Sequence, residues 1–321
     1  MKKLNKKILS AAAIAILFSA AAYPVVQSQA QNAAGMTAAT LRSITDKRPT
    51  LHADGIKFGA YDPHGDFGQQ QGVATEHLFL PWEDVDLDSL KTADAYALER
   101  KRNVLITVEP WSWDVSWRLT SDELRRKILQ GGYDENMHAI ARMVSQMKSP
   151  VIIRWGQEME DKSGRFSWSG WAPNDYITAY RHMMDIVRKE APNAKLMWSP
   201  KGEDGLQAYY PGDNYVDFVG LSVFGLEAFD KIEHGGPSTF GQSLKKGYSL
   251  VEKYNKPIWV AELGYEGNDA YIKPWMNDVT LKTSEFPKLE EVVYFNDKDV
   301  HPWPHNLGKP DWRVVRNDQT N

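Results

Sequence analysis

Eight short segments of this chain are rich in Val, Ile, Leu and aromatic residues, and each gives way abruptly to polar or glycine-containing sequence. Continuous apolar runs of this length are typical of strands that are buried on both faces, as in a parallel sheet. The predicted strands cover residues 56–61, 74–80, 104–109, 151–155, 195–199, 218–224, 257–262 and 291–295.

Helical patterns separate several of these strands. Thr120 and Glu123 form a capping-box sequence, apolar residues recur at helical spacing from Met137 to Met147, and Pro173 opens another amphipathic stretch. This alternation predicts an α/β fold, a single (β/α)8 TIM barrel. An open doubly wound sheet is the alternative, although no glycine-rich phosphate loop follows the first strand.

The N-terminal region differs from the rest of the chain. Residues 1–30 have a basic start, an apolar middle and small residues before Ala30, which is the pattern of a signal peptide. We therefore predict a signal peptide over 1–30, a flexible lead-in over 31–54 and a barrel domain over 55–321. The apolar stretch is close to the roughly 20 residues that span a membrane, so an uncleaved anchor is the alternative. Both interpretations place the remaining chain in the periplasm or outside the cell.

Composition narrows the class of partner. The formal net charge is −4, and loss of the four lysines in residues 1–30 would change it to −8. Nucleic acid and anionic lipid are therefore poor partners. The chain has no Cys but 12 Trp and 14 Tyr, and aromatic rings stack on the C–H faces of sugars. We expect a monomer that takes a polysaccharide or oligosaccharide, with no membrane contact after signal removal.

Two glutamates follow predicted strands at the place where a TIM barrel carries its catalytic groups. Glu158 comes shortly after strand 151–155, and Glu262 ends strand 257–262. A pair of carboxylates indicates the acid/base and the nucleophile of a retaining glycoside hydrolase. Glu109, at the end of the third strand, is a rival for the acid. No His cluster has metal-ligand spacing and no Ser lies in a nucleophile elbow, so we predict no metal and no organic cofactor.

Residues 154–200 read RWGQEMEDKSGRFSWSGWAPNDYITAYRHMMDIVRKEAPNAKLMWSP, a segment that resembles glycoside hydrolase family 26. The AELG sequence around Glu262 is similar to the nucleophile strand of that family. Family 26 is known for β-mannanases and for some β-1,3-1,4-glucanases and xylanases. The resemblance implies that Glu158 is the acid/base and Glu262 the nucleophile.

Other side chains at the predicted strand ends are candidates for substrate contact. They are Arg154, Gln157, His64, Trp111, Trp113, Trp168, Trp171, Phe224 and Trp303. Arg154 is also a candidate partner that keeps Glu262 ionised, and each Trp has loop packing as its alternative role. Two positions depart from the mannanase pattern of the family, which commonly has His where Gln157 stands and Tyr where Phe224 stands. The identity of the sugar is therefore open.

The predicted function is a secreted retaining endo-β-glycanase that cleaves a β-1,4-type polysaccharide, β-mannan or β-glucan. One alternative keeps the mechanism and changes the substrate to an exopolysaccharide made by the cell itself. Another is a catalytically inactive barrel that only binds glycan. Because both glutamates are present, an enzyme is favoured over the inactive barrel.

Overall fold

Eight parallel strands close into a barrel in the computed structural model, which describes residues 44–112 and 118–316. The strands are β1 Lys57–Tyr61, β2 Val73–Pro81, β3 Asn103–Glu109, β4 Val151–Trp155, β5 Lys195–Trp198, β6 Phe218–Leu226, β7 Ile258–Glu266 and β8 Leu289–Phe295. Each strand pairs with the next, and β8 pairs with β1. The predicted TIM barrel is confirmed, and closure between β8 and β1 excludes the open doubly wound sheet.

Helices cover the outside of the barrel. They are α1 Ser89–Glu99, α2 Ser121–Leu129, α3 Asp134–Val144, α4 Pro173–Glu190, α5 Glu227–Glu233, α6 Phe240–Val251 and α7 Asp269–Asp278. The predicted capping box is present at α2, where Thr120 and Glu123 bind each other's backbone N–H. Pro173 is at the start of α4, where its missing N–H costs no hydrogen bond. Within 44–112, β1 is followed by a loop instead of a helix.

Side chains fill the barrel interior towards the N-terminal ends of the strands, which we call the lower end of the barrel. The side chains of one buried cluster point inward from five different strands, and its members are Leu105, Ile152, Met197, Trp259, Ala261 and Val293. A TIM barrel packed in this way is a core and not a pore. Polar side chains therefore gather at the other end, where the strands terminate.

Strand β7 continues beyond its predicted end. The sequence predicts that the strand stops at Glu262, whereas the structure extends it to Glu266. The extension is paired with β6, from Ser222 opposite Glu262 to Leu226 opposite Glu266, after a register shift at Leu221 and Ser222. Glu262 consequently belongs to a paired strand, which restrains its backbone on one side.

The chain packs against the barrel from Ile44 onward. Lys47 is fully buried, its Nζ donates to the carbonyl of Tyr265 at 2.8 Å, and its backbone N–H donates to the carbonyl of Val314 at 2.9 Å. The described part of the predicted lead-in, residues 44–54, is thus packed on the barrel. Residues 1–43, with the predicted signal peptide, lie outside the described residues. No helix in the described ranges is long and apolar enough to cross a membrane.

Candidate active site

Both predicted catalytic glutamates lie at the C-terminal mouth of the barrel. Glu158 is 4% exposed and follows β4, and Glu262 is 7% exposed on β7. The two carboxyls are close enough for the charge of Glu158 to raise the pKa of Glu262. The structure therefore brings together two residues that are more than one hundred positions apart in the chain.

The backbone around Glu158 has an uncommon conformation. Gly156 and Glu158 have φ of 55° and 54°, in the left-handed region that a non-glycine residue rarely adopts. The N–H of Glu158 donates to the carbonyl of Ser199 at 2.8 Å, which ties the turn to the end of β5. Such strain persists where surrounding contacts enforce it, and it is concentrated at functional sites. Here it sets the position of the Glu158 side chain at the mouth.

Arg154 holds Glu262 in place. Its Nη1 donates to Glu262 Oε1 at 2.7 Å, and its Nε donates to Ser199 Oγ at 2.7 Å. The side chain of Arg154 has no exposed surface. Arg154 was predicted both to contact substrate and to pair with Glu262, and the geometry matches the second role. It is a positioning residue beneath the nucleophile candidate.

Opposing influences act on the Glu262 carboxyl. Burial raises the pKa of Glu262 to about 7, Arg154 opposes this shift, and the neighbouring Glu158 adds to it. A like charge nearby disfavours ionisation, and an opposite charge favours it. The ion pair with Arg154 thus stabilises the negative charge on Glu262 that a nucleophile needs.

Beneath Arg154 lies a residue that the sequence reasoning missed. His77 is buried inside the barrel, and its Nε2 is 2.7 Å from Thr107 Oγ1, which also accepts from Arg154 Nη1 at 3.1 Å. Burial and the nearby guanidinium lower the pKa of His77, so the ring is neutral. The Thr107 hydroxyl thus connects His77 with Arg154. The alternation of Thr75, His77 and Phe79 along β2 is the sequence signal that places His77 inside the barrel.

Gln157 and Glu109 form the wall next to Glu158. Gln157 Nε2 donates to Glu109 Oε1 at 2.8 Å, and Trp111 Nε1 donates to Glu109 Oε2 at 3.2 Å. Burial raises the pKa of Glu109, whereas these two N–H donors favour its charged form. Gln157 Oε1 is buried without a partner among the described residues. A hydroxyl of a bound sugar would supply the missing donor.

Aromatic rings form the opposite side of the mouth. Tyr61 stacks on Phe295 with ring centres 5.1 Å apart, and Phe79 contacts Tyr61 edge-on at 4.9 Å. Phe224 lies 6.3 Å from Trp303, and all five rings are partly exposed. The sequence reasoning identified Phe224 and Trp303 but not the other three. Their signal was present, since each lies at the C-terminal end of a predicted strand.

Three of the predicted sugar-contacting tryptophans have packing roles. Trp168 is fully buried, and its Nε1 donates to the carbonyl of Gln157 at 2.8 Å. Trp171 is 5% exposed, and its Nε1 donates to Ser121 Oγ at 2.8 Å. Trp111 is 8% exposed and packs edge-on against Trp168 at 4.7 Å. The loop after β4 folds over these indoles, so Trp168 and Trp171 offer little open ring face, which corresponds to loop packing, the alternative role given above.

The two remaining predicted contacts are His64 and Trp113. His64 is exposed in the loop after β1, and its Nε2 is 3.1 Å from Asp297 Oδ1 in the loop after β8. It is therefore at the rim of the mouth, away from the buried pair. Trp113 lies outside the described residues.

This chain is similar to known proteins in its sequence and in its fold. Residues 115–236 match the model of Glycosyl hydrolase family 26. The resemblance to this family is confirmed. The predicted enzyme class, a glycoside hydrolase, is the class of that family. The matched range includes Glu158 with its strained turn, and it ends before Glu262.

Curated relatives carry the similarity over more of the chain. Endoglucanase H of Acetivibrio thermocellus is 25% identical over 247 residues, which are 72% of this chain and 25% of that protein. The β-1,3-xylanase TXYA of a Vibrio species is 26% identical over 194 residues, 58% of this chain and 41% of that protein. The chain thus spans less than half the length of these relatives.

Solved structures support the fold independently. The family 26 β-mannanase BoMan26A of Bacteroides ovatus superposes with a TM-score of 0.57 at 19% identity, covering 76% of this chain and 81% of that chain. The names of these three proteins refer to three different polysaccharides. Similarity to family 26 therefore leaves the sugar open, as the departures at Gln157 and Phe224 also do.

Proposed function

We propose that this protein is a secreted retaining endo-β-glycanase that acts on a β-1,4-type polysaccharide, β-mannan or β-glucan. The observation that carries the proposal is the unequal carboxylate pair at the mouth. Glu262 accepts a hydrogen bond from Arg154 at 2.7 Å, and Glu158 lies beside it on a strained turn. The endo mode is supported by similarity to an endoglucanase.

The proposed first step uses both carboxyls. Glu262 attacks the anomeric carbon while Glu158 gives its proton to the departing glycosidic oxygen, so the C–O bond breaks and a glycosyl ester forms on Glu262. Formation of the ester removes the negative charge of Glu262, and Glu158 has by then given up its proton. In the second step Glu158 takes a proton from water, the resulting hydroxide attacks the anomeric carbon, and Glu262 is released as a carboxylate.

The polar and aromatic sides of the mouth would share substrate binding. Gln157 Oε1 and Glu109 can accept hydrogen bonds from sugar hydroxyls, and the partly exposed rings of Tyr61, Phe79 and Phe295 suit apolar sugar faces. Pockets that combine apolar walls with a few fixed polar groups are typical ligand sites.

The test is a reducing-sugar assay on mannan, mixed-linkage glucan, carboxymethyl cellulose and xylan, with Glu262→Ala as the control. We expect release from mannan or glucan that disappears in the variant, a rapid fall in polymer length, and a first product with the β anomer by NMR. An α-anomeric first product would contradict retention. Glycan binding without any bond cleavage would favour the inactive barrel.

Export is part of the proposal and rests on residues 1–30. Their basic start, apolar middle and small residues before Ala30 support a cleaved signal peptide. Expression of the full chain in a bacterial host, followed by fractionation and N-terminal sequencing, tests this. A mature protein beginning at Gln31 is expected, whereas an intact chain in the membrane fraction would indicate the anchor.

A further inference from the structure

A pocket of about 390 Å³ lies beside the carboxylate pair, between the start of α2 and the loop that follows β4. Among the described residues, its lining contains two aromatic rings, Trp111 and Phe166, two arginines, Arg118 and Arg165, and several hydroxyl side chains, but no carboxylate. Its volume is in the range of small-molecule sites. The lining therefore combines surfaces that suit a sugar ring with two positive charges.

Two residues of the pocket lining interact with the carboxylates of the catalytic centre. Trp111 donates from Nε1 to Glu109 Oε2 at 3.2 Å, and Glu109 is bound in turn by Gln157. The guanidinium of Arg165 lies in electrostatic range of Glu158, Glu262 and Glu109. A polysaccharide whose scissile bond lies at Glu158 and Glu262 would pass close to this pocket with a neighbouring sugar unit.

Arg165 has hydrogen-bonding capacity that the described residues do not use. Its Nη2 donates to Asp299 Oδ1 at 3.3 Å, which is a long bond for a charged pair. Its Nε is buried and has no acceptor in the described part of the chain. Leaving a buried charged donor unsatisfied costs free energy. An anionic ligand would supply the acceptor, and the planar guanidinium matches a carboxylate with two parallel bonds.

Arg118 adds the second charge and fixes the aromatic wall. Its Cζ is 3.9 Å from the ring centre of Trp111, so the guanidinium lies on the indole. The start of α2 is already satisfied by the capping box of Thr120 and Glu123. Recognition in this pocket thus falls to the two arginines. Their position is unexpected in a chain of net charge −4, which on the whole repels anions.

We propose that this pocket is a subsite for a sugar unit that carries a carboxylate, such as a uronic acid, in the polysaccharide that the enzyme cleaves. The inference rests on the proposed glycanase function and narrows its substrate to an acidic glycan. Arg165 binds the carboxylate, and Arg118, which lies on the Trp111 ring, adds positive charge.

The test compares matched neutral and acidic polymers. β-Mannan and mixed-linkage β-glucan are each used unmodified and after partial oxidation of C6 hydroxymethyl groups to carboxylates. We expect kcat/KM to be higher for the oxidised polymer, and Arg165→Gln to lower the oxidised-to-neutral ratio about tenfold, the loss of one charged hydrogen-bonded contact. Arg118→Gln should lower the same ratio less. Arg142→Gln removes an equal charge from the exposed face of α3 and should leave the ratio unchanged.

Binding measurements test the proposed subsite independently of the proposed hydrolase activity. Calorimetry with the Glu262→Gln variant measures the affinity for oxidised and neutral oligosaccharides, with and without Arg165→Gln. No cleavage of any polymer, with Arg165-dependent binding of oxidised oligosaccharides, would support the subsite and contradict the hydrolase. Equal cleavage of neutral and oxidised polymers, with an unchanged ratio in Arg165→Gln, would overturn the subsite and keep the hydrolase. Absence of both cleavage and binding would overturn both.

Discussion

Two buried glutamates on neighbouring strands show that the surroundings of a carboxyl group differ between the two ends of the barrel. Glu262 on β7 is at the mouth, and Glu291 is near the start of β8 at the opposite end. Burial raises the pKa of both to about 7. Glu262 has Arg154 at 2.7 Å and a second carboxyl beside it. Glu291 lies against Gly59 and Thr75, and neither of its oxygens has a well-formed hydrogen bond to a described residue.

The comparison shows that a raised pKa does not by itself identify a catalytic group. The pKa of Glu291 is raised because burial disfavours its charge, and Thr75 and Lys57 offset this only partly. Glu262 has the same burial, but its charge is stabilised by Arg154 and its position faces the mouth. What distinguishes a nucleophile candidate is a partner that keeps it ionised and an open path to substrate.

The largest effect is expected from the matched substitutions Glu262→Gln and Glu291→Gln. Both replace a buried carboxylate with an amide of the same shape. We expect Glu262→Gln to reduce kcat by at least about 10⁴-fold, because the amide cannot form the glycosyl ester. Glu291→Gln should retain kcat and KM, since it is at the other end of the barrel. Circular dichroism checks that both variants fold. Comparable losses of kcat in the two folded variants would contradict the different roles assigned to Glu262 and Glu291.

Glu158→Gln should lose about 10²–10⁴-fold in kcat on polysaccharide, the usual contribution of a general acid. The loss should be much smaller on an aryl glycoside of the same sugar, because a phenolate departs without a proton. Steady-state kinetics on both substrates tests this. An equal loss on both would assign Glu158 another role and reopen Glu109 as the acid.

Arg154→Lys tests the arginine that pairs with Glu262 and, within residues 44–112 and 118–316, has no counterpart beside Glu291. Lysine keeps the charge but not the geometry that binds Glu262, Ser199 and Thr107, so we expect a loss of about tenfold in kcat/KM. Arg154 lowers the pKa of Glu262, so weakening the pair raises that pKa and moves the acidic limb of the pH–rate profile to higher pH. Arg102→Lys is the control, because Arg102 is a buried arginine paired with Glu76 outside the mouth. An unmoved acidic limb in Arg154→Lys would contradict this role.

The smallest effect concerns stability at the lower end of the barrel. Because the folded-state pKa of Glu291 is raised, the folded protein binds its proton more tightly than the unfolded chain does. Its contribution to stability is therefore full below the ordinary glutamate pKa and is lost as the pH rises through about 7. Glu291→Gln should raise the Tm at pH 8 by a few degrees, at roughly 2–4 °C per kcal/mol.

The control for this measurement is Glu99→Gln, which changes an exposed glutamate at the end of α1. Its Tm difference from the parent should be the same at pH 5 and pH 8. If Glu291→Gln also shows the same difference at both values, Glu291 is not the group that makes stability depend on pH.

Much of the fold could be predicted from the sequence, because the residue patterns that indicate strands are local. All eight predicted strands exist, and β4 has the predicted bounds Val151–Trp155. The end of β7 was misplaced, because the residues from Leu263 to Glu266 are held in the strand by pairing with β6, and no local sequence pattern reveals that pairing. The tryptophans after β4 show the same limit. The sequence does not distinguish Trp168 and Trp171 from exposed tryptophans that bind sugar. Only the folding of the loop buries them.

The sequence by itself determined the barrel and both candidate glutamates, because alternating strands and helices leave few topologies and strand ends are where such barrels carry their chemistry. Only the tertiary structure decided what surrounds them. Arg154 contacts Glu262 across 108 residues of sequence, and His77 reaches Thr107 from another strand. Arg165 joins Trp111 in one pocket because two loops meet there. Charge pairing, burial and ring stacking act through space, so they are set by which strands and loops meet.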